Sequence, residues 1–246
     1  MSDNIDNKKY SFLKGQDYKQ WFQSVQYNGK TLSDAERKDL VDVINQTVSQ
    51  YSKGLPLLQN VLNGIKGQDD EFHNAQRTVV SVMQFVLITM IDSMVVSKYL
   101  ILADGDYDKR FMRGKLMVIL NEGFKRLYGF DEKTHKKSEW NRLSPIMKHF
   151  TGTIYSEYQE LTSLLDIHSK SSSWWREERN IETHLDTERL YNSRQEEIIE
   201  SKVMMDSLKL YSTLFAVDIF LTKVHGCLLN FAEKMFLKEN IQESIA

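Results

Sequence analysis

The chain has 246 residues, of which 41% are hydrophobic and 27% are charged. This length and composition allow one large helical domain or two small ones with a substantial buried core. The 32 Lys and Arg residues nearly balance the 34 Asp and Glu residues, and the formal net charge of −2 excludes a general attraction to nucleic acids or anionic membranes. Any site for a polyanion must therefore be local.

The cysteine content and the apolar segments indicate where the protein resides. Cys227 is the single cysteine, so the fold must be stable without an intrachain disulfide, which favours a reducing compartment. The first ten residues are polar and lack the apolar stretch of a secretory signal. Residues 79–103 are long enough to span a bilayer, but they include Asp92 and Lys98, whose burial in lipid would be costly. We therefore expect a buried core helix, a cytoplasmic location and no membrane partner.

The first predicted elements are an arm and a long helix. Residues 1–35 contain glycines and several aromatic residues, and we expect them to form an N-terminal arm or short helix that packs on the main body. Ser33 and Glu36 have the spacing of a capping box, which predicts a helix start. That helix should continue beyond Pro56, through a kink, and end near Gly64.

The rest of the chain contains further segments with the periodicity of helices. The predicted helices cover residues 72–102, 109–128, 140–167 and 203–236. Of these, the helix over residues 72–102 is apolar on most faces and should lie at the centre. A polar loop is predicted at residues 131–139 and a polar linker at residues 168–173. The sequence thus predicts an all-α fold, an antiparallel bundle of long helices, with residues 36–246 forming a single domain.

Several classes of chemistry are excluded by what the sequence lacks. Two-metal carboxylate centres in helical bundles require Glu-x-x-His motifs on facing helices, and that paired pattern is missing. One cysteine is too few for a thiolate-rich zinc site. Gly-rich phosphate loops and nucleophile elbows do not occur either. We therefore expect neither a metal nor a cofactor.

The most concentrated local chemistry is in the run WWREERNIETHLD, which contains Arg179, Asn180 and His184. On a helix, residues four or five positions apart lie about one turn apart, so all three side chains can approach the same surface region. Arginine presents a planar fork of donors to phosphate oxygens, and histidine, with an unperturbed pKa of about 6.5, exchanges protons near neutrality. The motif therefore predicts an exposed site for one phosphate group.

This pattern resembles the signature of the HEPN family (higher eukaryotes and prokaryotes nucleotide-binding domain), an arginine, usually followed by a polar residue, and then a histidine after four to six intervening positions. The resemblance covers about residues 72–236 as architecture and Arg179, Asn180 and His184 as the motif. It implies a helical bundle that dimerises so that two motifs face each other. In active members it also implies a metal-independent ribonuclease, often with a toxin, abortive-infection or other defence function.

The resemblance also implies roles for the three residues in this chain. His184 would be the general base or acid, and Arg179 would stabilise charge on the scissile phosphate. Asn180 would orient the substrate or the facing motif. The expected partners are RNA or a nucleotide, a second copy of the chain, and another protein.

A function from a different class stays open beside the ribonuclease. In that alternative the chain is a non-catalytic helical dimer that serves as a protein-interaction or nucleotide-binding scaffold. The enzyme requires Arg179 and His184 to be exposed in a cleft or across a dimer axis, whereas separate salt bridges would favour the scaffold.

Two acidic residues in predicted helices, Asp92 and Glu122, also have two interpretations each. They are either functional carboxylates or acids that are satisfied by a neighbouring helix or face a dimer partner.

Overall fold

The computed structural model describes residues 33–170, 179, 180, 191 and 200–243. All regular secondary structure in these residues is helical, which confirms the all-α class. The long and short helices within them are α1 (Asp34–Gly64), α2 (Glu71–Leu102), α3 (Asp106–Leu127), α4 (Glu132–His135), α5 (Glu139–Met147), α6 (Thr153–Lys170) and α7 (Glu200–Glu243). The arm predicted for residues 1–35 lies outside the described residues up to residue 32.

Helix α1 begins and ends where its sequence predicts. The backbone carbonyl of Ser33 accepts the first helical hydrogen bond, from the backbone N–H of Arg37 at 2.9 Å. The helix continues through Pro56 and ends at Gly64. Gly67 then has a φ of 84°, a left-handed conformation that glycine adopts without a steric penalty. The chain thereby leaves α1 and enters the central helix.

Helix α2 is the centre of the bundle, as its apolar composition predicts. It packs against α1, α3, α5 and α7. The carboxylate of Asp70 caps its first turn by accepting a hydrogen bond from the backbone N–H of His73 at 3.0 Å. Hydrogen bonds join Gln59 to Gln84 and Asn45 to Lys98. Residue numbers therefore rise along one helix as they fall along the other, so α1 and α2 are antiparallel.

Three predicted boundaries are wrong. The helix predicted over residues 140–167 is two helices, α5 and α6, separated by a turn in which Gly152 has a φ of 65°. The predicted loop contains α4, because Asp131 and Thr134 form a capping box across one helical turn. The predicted linker starts too early, because His168 lies in the last turn of α6 and is buried.

Gly123 marks the closest approach of three helices. A Cβ atom at this position would lie 2.8 Å from Thr89 Cγ2 of α2 and 3.5 Å from Leu210 Cδ2 of α7. The absence of a side chain therefore lets α3 lie directly against both helices. This is the packing reason for a glycine inside a helix, where glycine is otherwise unfavourable.

We expect Gly123→Ala to destabilise the protein by about 1 kcal/mol. Overpacking costs about 1–3 kcal/mol, whereas the higher helix propensity of alanine stabilises the folded state by about 1 kcal/mol. Thr89→Ser removes the obstructing Cγ2 and keeps the Oγ1, which donates to the Phe85 carbonyl at 2.9 Å. In the Thr89→Ser background, Gly123→Ala should therefore be neutral or stabilising. Urea denaturation of the two single variants and the double variant measures this change of sign. An equal effect in both backgrounds would contradict the packing argument.

Helix α2 and residues Val203–Phe231 of α7 are each long and apolar enough to cross a membrane by length and composition. In this structure 56% of the apolar window of α2 and 39% of that of α7 are buried within the bundle. The core helix of a soluble protein and a membrane span share these properties. The cytoplasmic location stays a prediction.

Candidate functional site

Arg179 lies against α3 in the described part of the chain. Its Nη2 forms an ion pair with Glu122 Oε1, and its Nη1 donates a hydrogen bond to Asn180 Oδ1 at 2.7 Å. The Arg179 side chain is 20% exposed, whereas Asn180 is exposed. Glu122 thus partly covers Arg179, and the predicted exposed face of the motif stays a prediction. His184 lies outside the described residues.

The neighbours of Glu122 in α3 determine where its carboxylate points. Asn121 and Gly123, on either side of it in sequence, are buried. The Glu122 side chain is 41% exposed, and Lys125 Nζ, one turn further along α3, lies 4.0 Å from its Oε1. One carboxylate therefore lies between two cations, Arg179 and Lys125.

This geometry constrains the chemistry that Arg179 can perform. Ionised partners make charge-assisted hydrogen bonds that hold the planar guanidinium in one orientation. A pre-oriented guanidinium suits the bidentate recognition of a phosphate. A phosphate would nevertheless have to share the guanidinium with Glu122. The same contacts are also those of a structural salt bridge between α3 and the motif.

The pairing of Arg179 with Glu122 is the feature of the site that the sequence did not predict. The sequence predicted Arg179 as part of the motif and Glu122 as either a functional carboxylate or an acid with a structural partner. The two positions are far apart in sequence, and no local pattern relates them. Only the packing of α3 brings them into contact.

His168 provides a second polar position, between α6 and α7. It is 4% exposed, and its Nδ1 lies 3.4 Å from Thr213 Oγ1. Burial, with a smaller contribution from the charge of Lys209, lowers the pKa of His168 to about 4. The ring is therefore neutral at physiological pH. A buried neutral imidazole stabilises the packing of α6 on α7 and is poorly suited to supply protons to a substrate.

The described residues offer little for a metal ion. No group of three or more His, Cys, Asp and Glu side chains among them is arranged to hold one. One Glu-x-x-His spacing does occur, from Glu132 to His135 in α4. Its histidine Nδ1 lies 2.8 Å from the Tyr128 carbonyl oxygen, and the Glu132 carboxylate contacts Lys136 at 2.7 Å. The side chains of Glu132 and His135 are therefore engaged in local contacts at α4.

Asp92 lies on an exposed face of α2, so the interpretation of a buried acid satisfied by a neighbouring helix is wrong. Ile88 precedes it by one turn and is 43% exposed, while Tyr99 and Leu102 follow it and are each 49% exposed. These four residues are separated by intervals of four, seven and three, which place them on one side of a helix. Partial burial raises the pKa of Asp92 above its ordinary value. Its place among exposed apolar side chains is typical of a surface that contacts another molecule.

Comparisons with known proteins add no relative: the chain matches no protein-family model, no curated protein and no solved structure.

Proposed function

We propose that the chain is a HEPN-like protein that cleaves RNA without a metal, in a toxin or other defence role. The observation that supports this function best is the Arg179, Asn180 and Glu122 cluster. In it the arginine and the polar residue of the motif are hydrogen-bonded to each other at the bundle surface, and Glu122 orients the guanidinium. The partial cover of Arg179 is compatible with a phosphate that displaces or shares the Glu122 contact.

In the proposed reaction the ribose 2′-hydroxyl attacks the adjacent phosphorus, and the 5′-oxygen of the next nucleotide leaves. His184 accepts the proton of the attacking hydroxyl while water protonates the leaving oxygen, or His184 protonates the leaving oxygen while water accepts the proton of the hydroxyl. Arg179 stabilises the negative charge that develops on the phosphate oxygens. No step requires a metal ion, and DNA, which lacks the 2′-hydroxyl, should resist cleavage.

The test is incubation of the purified full-length protein with total RNA and with a single-stranded DNA of the same sequence as one abundant RNA. The incubation is performed with and without EDTA. Cleavage of RNA alone, equal in both conditions, supports the proposal. Cleavage that EDTA abolishes, or cleavage of DNA, would point to metal chemistry and contradict it.

A second function is favoured by the same ion pair. Arg179 already has a carboxylate partner in Glu122, and a salt bridge of this kind is what a non-catalytic scaffold would contain. In that case the chain would bind a protein or a nucleotide without reaction. A folded protein that is inactive on every RNA tested, and whose motif variants are equally inactive, would favour the scaffold.

Both functions include a homodimer, for which the exposed face of α2 is the proposed interface. A two-fold interface uses the same surface on both subunits, so Ile88 and Tyr99 would be buried twice. We expect light scattering at micromolar concentration to give twice the chain mass. Ile88→Lys with Tyr99→Lys should shift the mass toward the monomer, because unpaired charges in an apolar interface are costly. Leu57→Lys, at an exposed apolar residue of α1, is the matched control and should leave the dimer intact. A monomeric wild-type protein would contradict this prediction.

A further inference from the structure

A cleft of about 1010 Å³ lies between the start of α2, the end of α5 and α7. This volume is in the range of ligand-binding clefts. Most of its floor is apolar and comprises Phe72, Ala75, Ile146, Phe150, Leu228 and Phe231. Phe231 is an exposed aromatic side chain and Phe72 and Phe150 are partly buried, so the cleft presents aromatic surface that α2, α5 and α7 leave uncovered.

The rim of this cleft is acidic. Asp69, Asp70 and Glu71 follow one another along its α2 side and are exposed. Asp70 already has a partner, because its Oδ2 lies 2.5 Å from Nδ1 of His73. Arg142, on the opposite side, shares the carboxylate of Glu139 with Arg126, and His149 Nε2 lies 3.6 Å from Glu71 Oε1. The three carboxylates of the rim outnumber its one arginine, so a basic ligand with apolar side chains would complement the cleft.

Such a segment exists in the chain itself. Residues 8–14 read KKYSFLK, with three lysines, two aromatic side chains and a leucine but no acid. If this segment is extended, Tyr10 and Phe12 lie on the same face, because side chains alternate along an extended chain. Its lysines flank that apolar centre on both sides. Its charge and its aromatic content are both complementary to the cleft.

The chain is long enough for this segment to reach the cleft. Asp104 comes just after the end of α2, and its carboxylate lies 3.7 Å from Nη1 of Arg37 in the first turn of α1. Ser33, at the start of α1, therefore lies near the end of α2, whereas the cleft is at its start. The length of α2 separates the two ends by about 48 Å at 1.5 Å per residue. The roughly 20 residues between Leu13 and Ser33 span up to about 65 Å when extended.

We propose that the acidic-rimmed cleft is the docking site of residues 8–14 of the same chain. Tyr10 and Phe12 would cover its aromatic floor, and the lysines would face Asp69 and Glu71. This contact would also bring the segment next to Cys227, an exposed residue that lines the cleft. The docking is independent of the proposed ribonuclease activity.

The test uses the single native cysteine as a reporter. Ser11→Cys places a second thiol in the centre of the segment, and mild oxidation of the full-length protein is followed on a non-reducing gel and by peptide mass spectrometry. Docking raises the effective concentration of one thiol near the other, so the intrachain disulfide with Cys227 should form about tenfold faster than in the same variant with Lys8, Lys9 and Lys14 replaced by glutamate. This charge-reversed protein is the matched control, because its tether to Ser33 has the same length and reach and only the charge of the segment differs.

Charge reversal, first in the segment and then also at the rim, tests whether the lysines of residues 8–14 bind the acidic rim of the cleft. Without docking, the thiol of Ser11→Cys in the charge-reversed segment should meet Cys227 only through free motion of the tether, so its disulfide should form slowly. Asp69→Lys with Glu71→Lys should restore the fast rate in that background. Equal rates for Ser11→Cys with the native lysines and with the three glutamates would overturn the proposal. A disulfide that forms only between two chains would overturn it as well, since the occupant would then be the segment of a second copy.

Discussion

Cleavage of RNA should fall by about 10²–10⁴-fold in His184→Ala, because general acid–base catalysis contributes a factor of that size. Arg179→Ala should lose about 10²–10³-fold, the typical cost of removing one electrostatic stabiliser of the transition state. Activity of the wild-type protein should be the same in EDTA, since proton transfer and charge stabilisation come from side chains. Initial cleavage rates on one fluorescent RNA substrate measure all three effects.

The control for these variants is their stability. The Arg179 ion pair involves Glu122, which is 41% exposed, so solvent screens the pair and its loss should cost about 1 kcal/mol or less. Both alanine variants should therefore keep the helical circular dichroism spectrum of the wild type. Glu122→Gln removes the ion pair without removing the guanidinium and separates orientation of Arg179 from its charge. If Arg179→Ala unfolds the protein, the motif is structural and the scaffold becomes the better function.

The free energy of unfolding should fall by about 2–3 kcal/mol between pH 7 and pH 4.5 through His168 alone. The pKa of His168 is about 4 in the folded state, against about 6.5 for an unperturbed histidine. Between these values the unfolded chain binds the proton and the folded chain does not, so acidification favours unfolding. The stability is present in full above about pH 6.5 and is lost progressively as the pH falls toward 4.

Urea denaturation across this pH range tests the effect of His168. His168→Asn keeps a polar atom near Thr213 and removes the titration, so its stability should depend less on pH than that of the wild type, even if the variant is less stable at pH 7. His149→Asn, the same replacement at an exposed histidine, is the matched control. Parallel pH profiles for wild type and His168→Asn would contradict the assignment.

Helical periodicity and chain-breaking residues accounted for most of the fold. The continuation of the first long helix beyond Pro56, its end near Gly64 and the apolar composition of α2 were each predicted from the sequence and are present in the structure. These signals act over a few helical turns, and neighbouring residues in sequence are sufficient to express them. The shortest element, α4, was missed because four residues are too few to show a period.

Contacts between distant parts of the chain decided the rest. The residues that follow His168 have the composition of a linker. Helix α6 nevertheless extends through His168, because the His168 ring packs on α7 beside Thr213. Asp92 was expected to be satisfied by a neighbouring helix or to face a dimer partner, and the arrangement of α1, α3 and α7 around α2 leaves it exposed. Arg179 contacts Glu122 because of the way α3 packs, which the sequence around either residue does not show. Local patterns encode which segments are helical, whereas the partner of a charged side chain depends on how those helices pack, which no single segment contains.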